Sequence, residues 1–373
     1  MIYLAVFIIG AGFSILNGKS KGFFYSYLFL LLILACFRYG VGPDYFAYEL
    51  LYSVANTSVL DQFDESGQEL LFRLLGSAVK FINFTYQEYV ALTALITLYY
   101  IGKTCKKYSQ YPVVSLYFYY SFFYFVWVFS GLRQGLALAI GVYYLLECLE
   151  NRNHIKFVII TFLLTLIHAS SAILPLFYVL AHLNLRRQTL LIGVLFCFCI
   201  SLIPATYFME IFNRLPYGDR LDYYFRLGDP DDFTINYFDF KSISRFILLL
   251  LFGVFLAKNY DNTNGIQSKI MNIYVISFCV YYALRFLEIL ASNASIYGFV
   301  LIVVILPNMY GKLKNGPNSK AFLISVSILS TAFFFKTLFS MEDMSKLNHS
   351  SLITPYTNIF NKSEFSFPLR VVD

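Results

Sequence analysis

Residues 113–149 read VVSLYFYYSFFYFVWVFSGLRQGLALAIGVYYLLECL, and the only charged residues among them are Arg133 and Glu147. A helix needs about 20 residues to cross the hydrocarbon core of a bilayer, so this stretch is too long for one crossing. The small pair Ser130-Gly131 interrupts it and marks a turn between two membrane helices. Arg133 then falls in the first turn of the returning helix, close to hydrocarbon, where charge is costly and usually lines a pathway or finds a partner. Helices are the economical solution on both sides of the turn, because lipid leaves each segment to satisfy its own backbone groups.

The same texture runs through the whole chain. Of 373 residues, 58% are hydrophobic and 13% charged, and the mean hydropathy is +0.64. A soluble domain carries nearer a quarter charged residues, so a soluble protein is excluded. Apolar runs of about 14–20 residues alternate with short polar clusters, and together they predict an all-α polytopic membrane protein. The net charge of +6 does not point to nucleic acid, because the basic residues gather at span ends. The six cysteines fall within or beside the apolar runs, which predicts no disulfide framework. Met1-Ile2-Tyr3-Leu4 lacks a basic leader and reads as the start of a first helix.

Lysine placement sets the orientation. Clusters stand at Lys19/Lys21, Lys103/Lys106/Lys107, Arg152/Lys156, Arg186/Arg187, Lys258/Lys269 and Lys312/Lys314/Lys320. If all face the cytoplasm, an even number of crossings separates each neighbouring pair. Spans near 2–16, 22–38, 86–102, 111–129, 132–149, 155–168, 171–184, 189–206, 242–257, 270–287, 294–311 and 321–338 satisfy that condition, which makes about 12 crossings with both termini outside. Segment 67–82 breaks the parity if it crosses, so it is expected as an outward-facing or re-entrant helix. Residues 1–340 then form one transmembrane domain with outward loops 39–66 and 207–241, and 341–373 form an outward tail. The hairpin 157–183 has short arms, which places His168 at its turn on the floor of an outward cavity.

The candidate site residues share that outward side. Arg38 ends the second span, within Arg38-Tyr39-Gly40-Val41-Gly42-Pro43-Asp44, where glycine and proline break the helix and let backbone approach a ligand. Arg38 reads either as a ligand cation or as a partner of Asp44. Arg285 lies four residues after Tyr281 and three before Glu288, a spacing that also suits a helical ion pair. Glu69 is acidic on an otherwise apolar segment and stands four residues from Arg73. His168 suits a general base or a hydrogen-bond donor, and without a second histidine nearby no metal site is expected. The loop 207–241 carries Tyr217, Arg220, Tyr223, Tyr224 and Arg226, side chains that stack on and bond to sugars, or that serve an interfacial aromatic belt. Asp229 and Asp231 form an Asp-x-Asp pattern that is too short to predict a metal.

These residues together resemble the EpsG family of Wzy-like polysaccharide polymerases. The matching pieces are Arg38–Asp44 with Tyr48, Glu69 with Leu70, Leu71 and Phe72, Arg133-Gln134-Gly135-Leu136-Ala137, and His168-Ala169-Ser170-Ser171. The resemblance is close over residues 1–180 and rests on hydropathy beyond them. It implies a bacterial cytoplasmic-membrane enzyme with a GT-C-like fold. Such an enzyme joins undecaprenyl-diphosphate-linked oligosaccharide repeat units on the outer face, without metal or other cofactor, to build capsule, exopolysaccharide or O-antigen. Chain-length regulators and a flippase are the protein partners it implies. Transfer from a lipid diphosphate needs cations for the leaving group and a base for the acceptor hydroxyl. Arg38, Arg133 and Arg285 are the expected diphosphate ligands, and Glu69, Asp44 or His168 the expected base, with Glu69 preferred. The rival expectations are an O-antigen ligase-like transferase, which differs in acceptor, and a non-enzymatic flippase or transporter, which would carry internal repeats.

Overall fold

Helix boundaries in this chain follow local chemistry closely. The computed structural model describes residues 2–55, 69–183, 185–203, 207, 265–313, 319–347 and 356–361, and all its regular elements are helical apart from one isolated β-bridge. Helices α1 (Ile2–Asn17) and α2 (Lys21–Cys36) meet at Ser20, whose hydroxyl accepts the Phe23 N–H at 3.3 Å. Two short helices follow, α3 (Tyr45–Val54) and α4 (Leu70–Phe81). Asn83, at φ 60°, turns the chain into α5 (Tyr86–Tyr108), where the Glu88 carboxylate accepts the Thr85 N–H at 2.6 Å to close a capping box. Helix α6 (Pro112–Tyr119) opens on a proline and widens into a π-helix over Tyr120–Ser130, and α7 (Leu132–Asn151) follows the break. Then come α8 (His154–Thr165), a 3₁₀ turn (Ala169–Ile173), α9 (Leu174–His182), α10 (Arg187–Ser201), α11 (Ile266–Ala283), α12 (Glu288–Phe299), α13 (Ile302–Leu313) and α14 (Ser319–Leu347).

The chain is a membrane-embedded helical protein. Among the described residues, Pro112–Ser130, Leu132–Asn151, Glu288–Leu313 and Ser319–Met341 are long and apolar enough to cross a bilayer. Ile2–Asn17, Lys21–Cys36, His154–Thr165, Ala169–His182 and Gln188–Ser201 are apolar but shorter. The turn expected at Ser130-Gly131 is present. Helix α4 has 12 residues and is about 18 Å long, the same length as α8. Several boundaries differ from expectation; α10 ends at Ser201 rather than 206, and α14 runs on to Leu347 rather than 338. Helix α5 continues past 102 to Tyr108 because Lys106 and Lys107 suit the negative end of its dipole. Helix α11 ends at Ala283 rather than 287. Helix α12 starts at Glu288 rather than 294, with that carboxylate in its first turn. The expected span 242–257 and all of loop 207–241 except Tyr207 lie outside the described residues.

The helices gather into two compact units, one of residues 1–144, 157–171 and 302–373, the other of 145–156 and 172–301. Lipid tails are as apolar as leucine, so helices in a bilayer associate through close packing and polar bonds. At the centre of the first unit is the π-helix, with Tyr120, Tyr124, Phe125, Val128 and Phe129 buried. Tyr3 of α1 meets Phe125 edge-on at 5.3 Å, and Phe334 of α14 lies 5.9 Å from the Tyr120 ring. Ser330 on α14 donates to Ser121 at 3.1 Å. A second cluster in this unit joins Tyr45, Tyr48 and Tyr52 of α3 to Phe72 and Val79 of α4, Tyr86, Tyr89 and Val90 of α5, and Leu132 of α7. It fixes the starts of α4 and α7, from which the site is built. Residues 356–361 strap this unit: Thr357 O accepts the Tyr39 N–H at 2.9 Å, Phe37 O accepts the Ile359 N–H at 3.1 Å, and the Tyr356 hydroxyl donates to Leu34 O at 3.0 Å. In the second unit α11 packs against α9, α10 and α12. There Gly298 lets α12 approach closely, since a Cβ on it would lie 2.9 Å from Ile273 O.

Candidate active site

A helix leaves its last carbonyls without partners, and the π-helix does so at the break before α7. Its wide turn closes with the Gly131 N–H donating to Val126 O at 2.9 Å. Arg38 meets the carbonyl end. The side chain is fully buried, and Nη1 donates to Val41 O at 2.9 Å and to Phe129 O. The guanidinium carbon stands 4.7 Å from the Phe129 ring centroid and 5.8 Å from that of Tyr45. Gly42, at φ 113°, lets the loop wrap the same carbonyl, because a Cβ there would lie 2.8 Å from Phe129 O. Ser130 Oγ donates to the Asp44 carboxylate, so the next residue of the break is held too. Arg38 and Asp44, one of whose readings is a mutual ion pair, make two separate grips on one joint.

Beyond the joint, Arg133 leaves the first turn of α7 and meets Glu69 at the N-terminus of α4. Arg133 Nη1 lies 2.7 Å from Glu69 Oε2, with side-chain exposures of 26% and 21%. That half-buried setting strengthens the pair relative to a surface one. Glu69 Oε1 also accepts the Ala169 N–H at 3.2 Å, and the Leu71 N–H donates to Leu166 O at 2.7 Å. These two bonds fasten α4 to the α8–α9 turn. The Glu69 carboxylate is therefore turned to Arg133 and to the Ala169 N–H. Arg133 Nε makes a long contact of 3.5 Å with the Tyr48 hydroxyl. Burial raises the Tyr48 phenol above its usual range and the Arg133 charge pulls it back down, so at neutral pH it remains a protonated hydroxyl.

His168 sits in the same turn. Its Nδ1 lies 2.7 Å from Ser170 Oγ and accepts the Ser170 N–H at 3.3 Å, while Gln134 Nε2 donates to Ser170 Oγ at 3.3 Å. An Nδ1 that accepts a backbone N–H leaves the proton of the neutral ring on Nε2. The residue after Arg133 is thus hydrogen-bonded to the residue that holds the His168 ring. Glu69, Arg133 and His168, distant in sequence, are brought together in the first unit by one hydrogen-bonded network.

Arg285 belongs to the second unit. It is buried in the turn after α11, with its guanidinium carbon 5.7 Å from the Tyr281 ring centroid. Because α11 ends at Ala283 and α12 begins at Glu288, Arg285 and Glu288 do not share a helix as the spacing suggested. Tyr217, Arg220, Tyr223, Tyr224 and Arg226 lie outside the described residues, as do Asp229 and Asp231. Among the described residues no three His, Cys, Asp or Glu side chains converge as metal ligands. Gln87 was missed by the sequence reading. Its Nε2 donates to Cys36 O at 2.5 Å and Arg38 O at 2.9 Å, and its Oε1 accepts from the Tyr45 hydroxyl at 2.9 Å. A glutamine in the first turn of a helix carries no signal that would have found it.

The Arg38 loop, the Glu69 segment, the Arg133-Gln134-Gly135 turn and the His168 turn are the four pieces that carried the resemblance, and they meet in one unit. No curated protein and no solved structure matches the chain. A family profile does, over residues 21–358 and so nearly the whole length: the chain belongs to the EpsG family, a family of Wzy-like membrane polysaccharide polymerases.

Proposed function

We propose that this protein polymerises polyprenyl-diphosphate-linked oligosaccharide repeat units on the outer face of the bacterial cytoplasmic membrane, undecaprenyl diphosphate being the carrier that the resemblance implies. In the transfer, an acceptor hydroxyl oxygen bonds to the anomeric carbon, the bond from that carbon to the diphosphate breaks, and the hydroxyl proton passes to a base. Arg133 is the residue best placed to take the leaving-group charge. Its planar fork remains cationic at any working pH and matches a phosphate edge. The half-buried Arg133–Glu69 pair beside the His168 turn is the observation that carries this reading. Exchange of Glu69 for a phosphate on Arg133 frees the carboxylate to accept the proton, with the His168 Nε2–H available as a donor. Arg285 is proposed as a further diphosphate ligand, and loop 207–241 is proposed to hold the acceptor glycan. The twelve-span topology, the GT-C-like fold and a metal-independent mechanism belong to the same proposal.

The test is purified protein in liposomes with a synthetic polyprenyl-diphosphate repeat unit and size-resolved products. A ladder from the wild type, reduced about 10²–10³-fold in rate by Arg133→Ala, is the expected result. An Arg133→Ala protein that polymerises normally overturns the assignment, and a single transferred glycan in place of a ladder overturns polymerisation.

A further inference from the structure

Arg38 and Arg133 look alike in sequence, each an outward arginine beside glycine, yet the structure treats them differently. Arg133 is half-exposed and its fork faces a carboxylate. Arg38 is sealed, spends Nη1 on two backbone carbonyls and rests on the Phe129 ring. We propose that Arg38 is a positioning residue: its grip on the carbonyl end of the π-helix fixes the break at Ser130-Gly131, and with it the direction in which Arg133 leaves α7, without contact to the ligand. This rests on the proposed role of Arg133.

Four observations converge on the joint. Phe129 O, the carbonyl that Arg38 holds, lies four residues before Arg133. Asp44 holds Ser130, the next residue along. Gly42 allows the loop to reach that carbonyl at all. From the other side Gly135 lies against the Trp127 carbonyl, with no space for a Cβ. Two motifs that read as separate binding elements are thus the two halves of one socket. The first motif seats the end of the π-helix, and the second leaves the socket in a fixed direction. The Nε and Nη2 groups of Arg38 have no hydrogen-bond partner, the feature that a ligand-binding role would use. In this structure they are enclosed, and the adjoining aromatic faces supply part of the compensation that a buried cation requires.

The experiment compares Arg38→Gln and Gly42→Ala with the wild type in three readouts: turnover of the lipid-linked repeat unit, binding of a short-chain polyprenyl diphosphate, and backbone hydrogen exchange over residues 126–135. Gly42→Ala disturbs the socket without removing the charge, and it stands in if Arg38→Gln fails to fold. A positioning role lowers turnover about tenfold or more in both variants, changes diphosphate affinity by the same factor in both because it acts through Arg133, and speeds exchange at Gly131–Gly135 about tenfold. Diphosphate affinity that falls with turnover in Arg38→Gln but not in Gly42→Ala makes Arg38 a ligand and overturns the proposal. Unchanged exchange in both variants overturns it as well. Exchange is read whether or not the wild type polymerises, so failure of the proposed function is distinguishable from failure of the socket.

Discussion

Glu69 and Arg133 carry opposite duties in the proposed transfer, and conservative substitutions separate them. Arg133→Lys keeps the charge but loses the planar fork, so turnover should fall about tenfold or more while the chain stays folded. Glu69→Gln keeps an acceptor for Arg133 but removes the proton acceptor. If Glu69 is the base, the rate in the liposome assay should fall about 10²–10⁴-fold with diphosphate binding retained. A rate within threefold of the wild type, on the order of 0.6 kcal/mol, would transfer that duty to His168 or Asp44. At this scale the sequence was partly legible. Arg133 stood out because charge beside hydrocarbon is expensive, and Glu69 because it was acidic on an apolar segment. That the two meet was not legible, since their contact spans 64 positions and depends on how α4 is fastened to Leu166 and Ala169. Arg38 drew attention because it ends a span in a loop broken by glycine and proline, and its burial, not its sequence, separates it from Arg133.

Helix α6 is the element whose internal geometry matters most. The π-helix Tyr120–Ser130 that continues it makes a wider turn, and such turns are frequent at functional sites. Here the widening delivers Phe129 and Ser130 to the Arg38 loop. Gly135 is the tightest point: a Cβ there would collide with the Trp127 carbonyl oxygen and lie 2.8 Å from the Trp127 carbonyl carbon. Gly135→Ala is therefore expected to destabilise the protein by about 2–4 kcal/mol or prevent folding. Gly12→Ala on α1 meets nothing within 4 Å and should be neutral or stabilising by up to about 1 kcal/mol. Thermal unfolding of the detergent-solubilised pair measures the contrast. The sequence located the turn at Ser130-Gly131 from the interruption of an aromatic run. It gave no sign of the π-helix, because apolar aromatic residues suit a π-helix and an α-helix equally in lipid. The early stop of α11 was likewise hidden, since Leu284 to Leu287 continue a pattern that an apolar helix would also show.

Across the whole molecule, the parity of lysine clusters makes a prediction that fusion proteins can check. A fluorescent protein joined after Lys107 should fold in the cytoplasm and fluoresce, whereas alkaline phosphatase there should be inactive. Fusions within residues 56–66 should give the reverse, and the same outcome at both positions would overturn the orientation. Membrane character and helical architecture were legible throughout, because hydropathy alone imposes them. Packing partners were not, and the strap shows why: Tyr356 reaches Leu34 across 322 positions, a pairing that no local pattern encodes. That pairing bears on how the protein is made. The ribosome delivers Arg38 to the insertion machinery early, yet the backbone partners of Phe37 and Tyr39 emerge only some 320 residues later, about 16–64 seconds on at 5–20 residues per second. For that interval the nascent chain holds the site's first turn without its late brace, so the site is completed only after residues 356–361 have emerged.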